Sequence, residues 1–289
     1  MLLALAVIVS LNGLTAEAAS AAESAGDMST PALVERALVA VGQGDRTDLG
    51  WTAPDDPAAP AELSTASGTV GVTPVTSDDS LVQARAGEVQ AVTVLRDGAD
   101  TTTFSLDLPE GFQAAPRGAG FDIVAAVEPG AGSITAGHID APWAVDAHGR
   151  SIPTQFSLDG HTLTQTIDPQ GAAFPVVVDP LVTFGLLNAP QGIGFYLNLL
   201  GSQMREIAAA SAVLLGLGAY AVCKTSRIPT PVARFVHLGC DLVGGTNLLA
   251  IVGLVQRIYS SNRFGYYACY QTRIGAARGF VWTQHANCA

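Results

Sequence analysis

Residues 151–168, SIPTQFSL-DG-HTLTQTID, set two alternating runs on either side of Asp159-Gly160. An Asp-Gly pair supplies the positive φ angles of a two-residue turn, and side chains alternate faces along a strand, so this stretch reads as a β-hairpin. The same period of two recurs from about 82 to 183, in Val89–Arg96, Thr102–Leu108, Phe121–Val127, Ile152–Leu158, Thr162–Ile167 and Phe174–Val178. Several short strands with turns between them predict an antiparallel sandwich or open barrel.

The last third changes in kind. Ile207 to Cys223 holds no charged residue, Thr230-Pro231 is a cap-plus-proline helix start, Gly244-Gly245 interrupts this second helix, and Leu248 to Tyr259 is apolar again. Ser202 is the expected cap of the first of these helices. The final aromatic residues predict two strands about Gly275. The expected fold class is therefore α+β: a β-rich sandwich or open-barrel module, then a small α-rich module clamped by disulfides. The expected divisions are a signal segment at 1–18, a short helix and acidic linker at 19–81, the β-rich module at 82–185 and the α-rich cationic module at 186–289.

All four cysteines, Cys223, Cys240, Cys269 and Cys288, lie in that last third. An even number in a small segment predicts two disulfides in an oxidising compartment. Three pairings are open to four cysteines. Two prolines between Cys223 and Cys240 turn the chain back, and Cys269 and Cys288 fall on the two terminal strands, so Cys223–Cys240 and Cys269–Cys288 are the expected bonds. Leu2 to Leu14 has the length of a signal-peptide core, and Ala16-Glu17-Ala18 fits a cleavage site, although the first basic residue is Arg36. Export with a mature start near Ala19 is expected, and the 13% charged content accords with it.

Charge is unevenly divided. Residues 1–185 carry six arginines against 23 acids, net −17; residues 186–289 carry eight basic residues against two acids, net +6. The halves should attract each other, or the basic third should meet an anionic membrane or envelope surface. Its basic residues are scattered singly through an apolar segment, which argues against nucleic acid as partner. In the second arrangement the isolated basic third binds anionic vesicles and the acidic half screens it while attached.

GHIDAPWAVDAHG, residues 137–149, places His138, Asp140, Asp146 and His148 around Trp143. Asp146 and Gly149 stand at the first and fourth positions of a type I turn, and Pro142 holds its predecessor extended, so structural work accounts for most of this stretch. Two histidines ten residues apart across a proline and a turn lack the rigid spacing of a metal site. No G-x-S-x-G, H-E-x-x-H, P-loop or complete dinucleotide fingerprint occurs. No catalytic residue, metal ligand or cofactor is expected.

APWAVDAHGRSIPTQFSLDGHTLTQTID, with FPVVVDP after it at 174–180, resembles a β-rich segment of secreted actinobacterial proteins of unknown function, found also in some wall-associated and RHS-type proteins. The resemblance covers residues 104–182 at most. It implies a compartment and a β fold, and brings no known catalytic residues. The expected role is an exported, non-enzymatic extracellular or envelope protein. The alternative is a secreted effector whose cationic, apolar last third acts on membranes, with the acidic half as carrier.

Overall fold

The computed structural model describes residues 28–288, apart from short stretches at 48–49, 53–60, 66–67, 76–78, 86, 97, 127–131, 186–187, 190–191, 225–227, 229, 262–264 and 276–278. The expected signal segment lies outside the described residues.

Helix α1 (Thr30–Ala40) begins with a proline in its first turn and buries Leu33, Val34, Ala37 and Leu38. The strands are β1 (Ala61–Thr65), β2 (Gly68–Pro74), β3 (Ser80–Arg85), β4 (Glu88–Leu95), β5 (Thr101–Asp107), β6 (Phe112–Arg117), β7 (Gly120–Ala126), β8 (Ser133–Ile139), β9 (Ala144–Val145), β10 (Thr154–Asp159), β11 (Thr162–Ile167), β12 (Val176–Val178), β13 (Leu181–Phe184), β14 (Asn188–Ala189), β15 (Gly192–Ile193) and β16 (Tyr196–Leu200). Helices α2 (Gly201–Val222) and α3 (Thr230–Ser260) come next, then β17 (Cys269–Arg273) and β18 (Val281–Thr283). The fold is α+β, with a helical unit near the C-terminus.

Asp159 and Thr162 pair across the Asp-Gly turn, and the β10–β11 register runs from there to Thr154 and Ile167. This hairpin is one side of a five-stranded sheet, β1-β2-β5-β11-β10. A second, 11-stranded sheet faces it, with the path β18-β17-β16-β8-β13-β4-β12-β9; β3 joins at β4, and β7 joins at β8 and carries β6. Val70, Val72, Phe104, Leu106 and Leu163 from the smaller sheet meet Val89, Ala91, Ile123, Ile139 and Val182 from the larger, forming a sandwich core. On β4 the opposite face is buried too. There Val92 and Val94 pack with Leu81 and Val177 against Leu33, Val34 and Leu38 of α1. A strand covered on both sides loses the alternation that marks a half-exposed one.

Two expectations about boundaries are corrected. Residues 61–65 and 68–74, expected to be flexible linker, are β1 and β2 and pair antiparallel, with Leu63 opposite Val70 and β2 continuing onto β5. Val70 and Val72 are wholly buried; burial of alternate valines outweighs the turn-forming residues around them. The division at 185/186 falls inside the larger sheet, because β16 pairs with β8 on one side and β17 on the other. The last third is therefore built onto the sandwich.

The helices form an antiparallel hairpin over that end of the sheet. Met204, Ile207, Leu214, Phe235, Val236, Leu248, Ile251 and Val255 pack with Ile134, Leu197 and Leu199 of the strands. Helix α2 starts earlier than expected, at Gly201; the Leu200 N–H is satisfied by Gln203 Oε1 at 2.7 Å, and Ser202 lies inside the helix. Each helix is broken at a glycine: Gly218 (φ 74°, ψ 166°) and Gly244 (φ 73°, ψ 161°). Next to the second break, a Cβ on Gly245 would stand 1.8 Å from the Ala219 carbonyl oxygen, so the two backbones touch there. Beyond the breaks, Cys223 is bonded to Cys240; Cys269 is bonded to Cys288.

Candidate functional site

The residues singled out in 137–149 separate into two places. Asp146 organises a turn. Its carboxylate accepts from the backbone N–H groups of His148, Arg150 and Ala173 and from Arg150 Nε and Nη2, at 2.6–3.2 Å. The Gly149 N–H closes the turn on the Asp146 carbonyl at 2.8 Å. Burial alone would raise this carboxyl, but the bonds from Arg150, Ala173 and His148 outweigh it and hold the pKa below the usual carboxylate value.

His138 lies on β8, opposite Asp122 of β7 and Thr183 of β13. Its Nδ1 is 3.1 Å from Asp122 Oδ1, and its Nε2 faces Asp140 Oδ1 at 3.7 Å. Asp122 is buried, and it also receives Arg117 Nη1 on Oδ1 at 2.9 Å and Asn287 Nδ2 on Oδ2 at 2.7 Å. Burial pushes the Asp122 carboxyl up; the bonds from His138, Asn287 and Arg117 more than offset that, and its pKa is lowered. A carboxylate can only accept, so His138 Nδ1 carries the proton and Nε2 is the free acceptor when the ring is neutral. Asp140 is half-exposed, and burial raises its pKa despite the nearby His138.

From Asp122 the polar contacts run into the C-terminal turn. The Asn287 carbonyl accepts from the Ser133 hydroxyl; Asn198 Nδ2 donates to Ser133 and to Thr135, and Gln271 Nε2 donates to Asn198 Oδ1 at 3.0 Å. These buried groups join β7, β8, β16, β17 and the turn at 285–288, which the Cys269–Cys288 bond holds in place. Hydrogen-bonded networks of this kind specify one arrangement of the elements they link.

A third buried carboxyl, Asp179, lies in the FPVVVDP stretch. It accepts from the Trp143 N–H at 3.2 Å and from Gln90 Nε2 at 3.4 Å. Desolvation pushes it well above the ordinary value. Gln90 also reaches Gln43, Gln83 and Arg46, and Arg46 is paired with Glu88 at 3.0 Å. This network ties the segment after α1 to β3 and β4.

Chemically, the Asp122–His138–Asp140 line is a histidine fixed between two carboxylates. The Thr183 hydroxyl, its neighbour on β13, donates to the His138 backbone carbonyl at 3.3 Å instead of to the ring. Among the described residues, no group of three or more His, Cys, Asp or Glu is placed to hold a metal ion. An open groove of about 310 Å³ lies elsewhere, along Thr154, Gln155, Thr166 and Asp168 at the end of the β10–β11 hairpin.

Sequence reasoning singles out His138 and Asp140 but misses Asp122, Arg117, Asn287 and Asp179. Asp122 and Asp179 each have a signal: one acid inside a strongly apolar run, within β7 for Asp122 and between β12 and β13 for Asp179. Asn287 has none, since its partner is 165 residues away. No protein-family profile matches the chain, and no curated protein or solved structure matches it.

Proposed function

We propose that this chain is an exported, non-enzymatic protein that works at an extracellular or cell-envelope surface. The carrying observation is the placement of the two disulfides. Cys223–Cys240 staples the helical hairpin beyond its glycine breaks, and Cys269–Cys288 staples the C-terminal turn onto the sheet beside the Asp122 network. Bonds placed so that each closes a separate structural unit suit a chain that folds where thiols are oxidised. The buried carboxylates support the same reading, because each one's hydrogen bonds go to holding strands and turns together.

Mass spectrometry of protein recovered from outside the producing cell tests this. The expected product starts at Ala19 or within a few residues of it and carries both disulfides. Recovery only from the cytoplasm, with Met1 retained and four free thiols, overturns the proposal.

A further inference from the structure

One face of the helical unit has no partner in the chain among the described residues. On α2, Ala209, Ala212, Val213, Leu215, Gly216 and Tyr220 are exposed. Ala209, Ala212, Val213 and Gly216 recur at helical spacing and form a stripe opposite the buried Met204, Ile207, Ala208, Ser211 and Leu214; Leu215 stands on the packed side, four residues after Ser211, and Tyr220 follows the break at Gly218. The helix is long and apolar enough to cross a membrane by length and composition. It is nevertheless fastened along its other side to the sheet and to α3, so the stripe can only lie along a surface.

The stripe continues into aromatic residues. Arg205, exposed in the first turns of α2, sits 5.5 Å over the ring of Tyr266, whose ring meets that of Tyr267 edge-on. The Tyr266 carbonyl accepts from the Ser202 N–H at 2.8 Å, which holds this turn against the start of α2. Trp282 on the edge strand β18 lies opposite Tyr270, whose ring packs against the helical core. Trp282 leaves 72% of its surface in water, Tyr267 78% and Tyr220 76%. Cations stand at both ends of the stripe, Arg205 at one and Lys224, over the Tyr220 ring, at the other. Glu206 beside Arg205 is one of only two acids after residue 185.

We infer that this face docks on the headgroup layer of an anionic lipid bilayer, with the apolar stripe of α2 lying along the acyl boundary and Tyr220, Tyr266, Tyr267 and Trp282 at the interface. The inference rests on the proposed export, which brings the face to such a surface. Charge complementarity selects the occupant: an apolar stripe with a cation at each end, in a segment of net charge +6, matches a negatively charged layer. Tyr and Trp prefer that depth because their rings are apolar and their tips polar.

The test uses the oxidised chain from Ala19 onward and co-sedimentation with vesicles of mixed phosphatidylglycerol and phosphatidylcholine, with pure phosphatidylcholine as control. Binding to the mixed vesicles, weakened by salt, is expected. Replacing both Ala209 and Val213 by Asp should reduce it by more than about tenfold, and Arg205→Gln or Lys224→Gln by about fivefold each. These positions are exposed, and an unchanged thermal midpoint and disulfide map show that the fold is kept. Independently, lipid should change the tryptophan fluorescence of the parent chain but not of Trp282→Phe. Absence of vesicle binding by correctly oxidised protein overturns the inference and leaves export standing. So do binding indifferent to the Asp replacements, and binding through Trp282 and Tyr267 to a soluble polysaccharide in place of lipid. Retained Met1 and free thiols would instead overturn the export reading.

Discussion

Asn287 donates its side-chain amide to Asp122 at 2.7 Å, tying the penultimate described residue to a strand 165 residues earlier. Both groups are buried. Removing the donor leaves a carboxylate with one oxygen less satisfied, so Asn287→Ala should cost about 2–3 kcal/mol in urea unfolding. Asn287→Asp should cost more, because it sets two carboxylates together. The same bond, with the β8–β16 pairing, argues that residues 186–289 do not fold alone. Expressed separately, they should show no cooperative transition; a cooperative transition of the isolated segment would favour a basic fragment released from an acidic carrier.

The buried carboxyls govern the response to acid, and the sign differs between them. Asp122 and Asp146 have lowered pKa values when folded. Their contribution is present above the unfolded value of about 3.9 and is lost as pH falls through the lower folded values. Asp179 is raised, so it releases its proton at higher pH when folded than when unfolded and costs stability as pH rises past the unfolded value. Asp179→Asn should therefore raise the thermal midpoint at neutral pH and leave it nearly unchanged near a pH of about 3, below the unfolded carboxyl value. Asp146→Ala should destabilise at neutral pH by about 2–3 kcal/mol, because three turn N–H groups lose their acceptor while the exposed Arg150 charge stays in water. A midpoint of Asp179→Asn that tracks the parent at every pH would count against the raised Asp179.

The disulfides close loops of similar length, with separations of 17 and 19 residues, and each should contribute about 3 kcal/mol through the unfolded chain. Their local effects should differ. Replacing Cys223 and Cys240 by serine frees the hairpin beyond Gly218 and Gly244 and should leave the Asp122 network protected in amide exchange. Replacing Cys269 and Cys288 loosens the turn that carries Asn287, so protection should fall at β7 and β8 as well.

How far the sequence foretells this molecule depends on whether a signal is local. The β10–β11 hairpin is legible to the residue, because the Asp-Gly turn and the alternation sit side by side. The glycine break at 244 and the helix start at Thr230 are legible for the same reason. The β1–β2 pair is not. Its Ala, Ser, Thr and Gly residues read as linker, and only pairing with β5 shows that Val70 and Val72 are core. The boundary at 186 fails similarly, since nothing in YLNLL says that it will add to β8. At the candidate site, His138 stands out by residue type. Its working partners come from β7 and from the last turn, and long-range polar contacts leave no spacing to read.

Glycine substitutions test the hairpin geometry itself. A Cβ at Gly245 would lie 1.8 Å from a backbone oxygen of α2, an atom that cannot swing aside. Gly245→Ala must push the helices apart, at a cost of about 1–3 kcal/mol or more. Gly218 has open space around it but a backbone conformation that favours glycine, so Gly218→Ala should cost less, about 1–2 kcal/mol of strain. Gly216 is helical, exposed and unobstructed, and Gly216→Ala should stabilise by about 0.5–1 kcal/mol. Chemical unfolding of the three oxidised variants measures this order directly. If Gly245→Ala proves as harmless as Gly216→Ala, the helices do not cross backbone to backbone at Ala219, and the paired breaks at Gly218 and Gly244 lose their explanation as the means of that close approach.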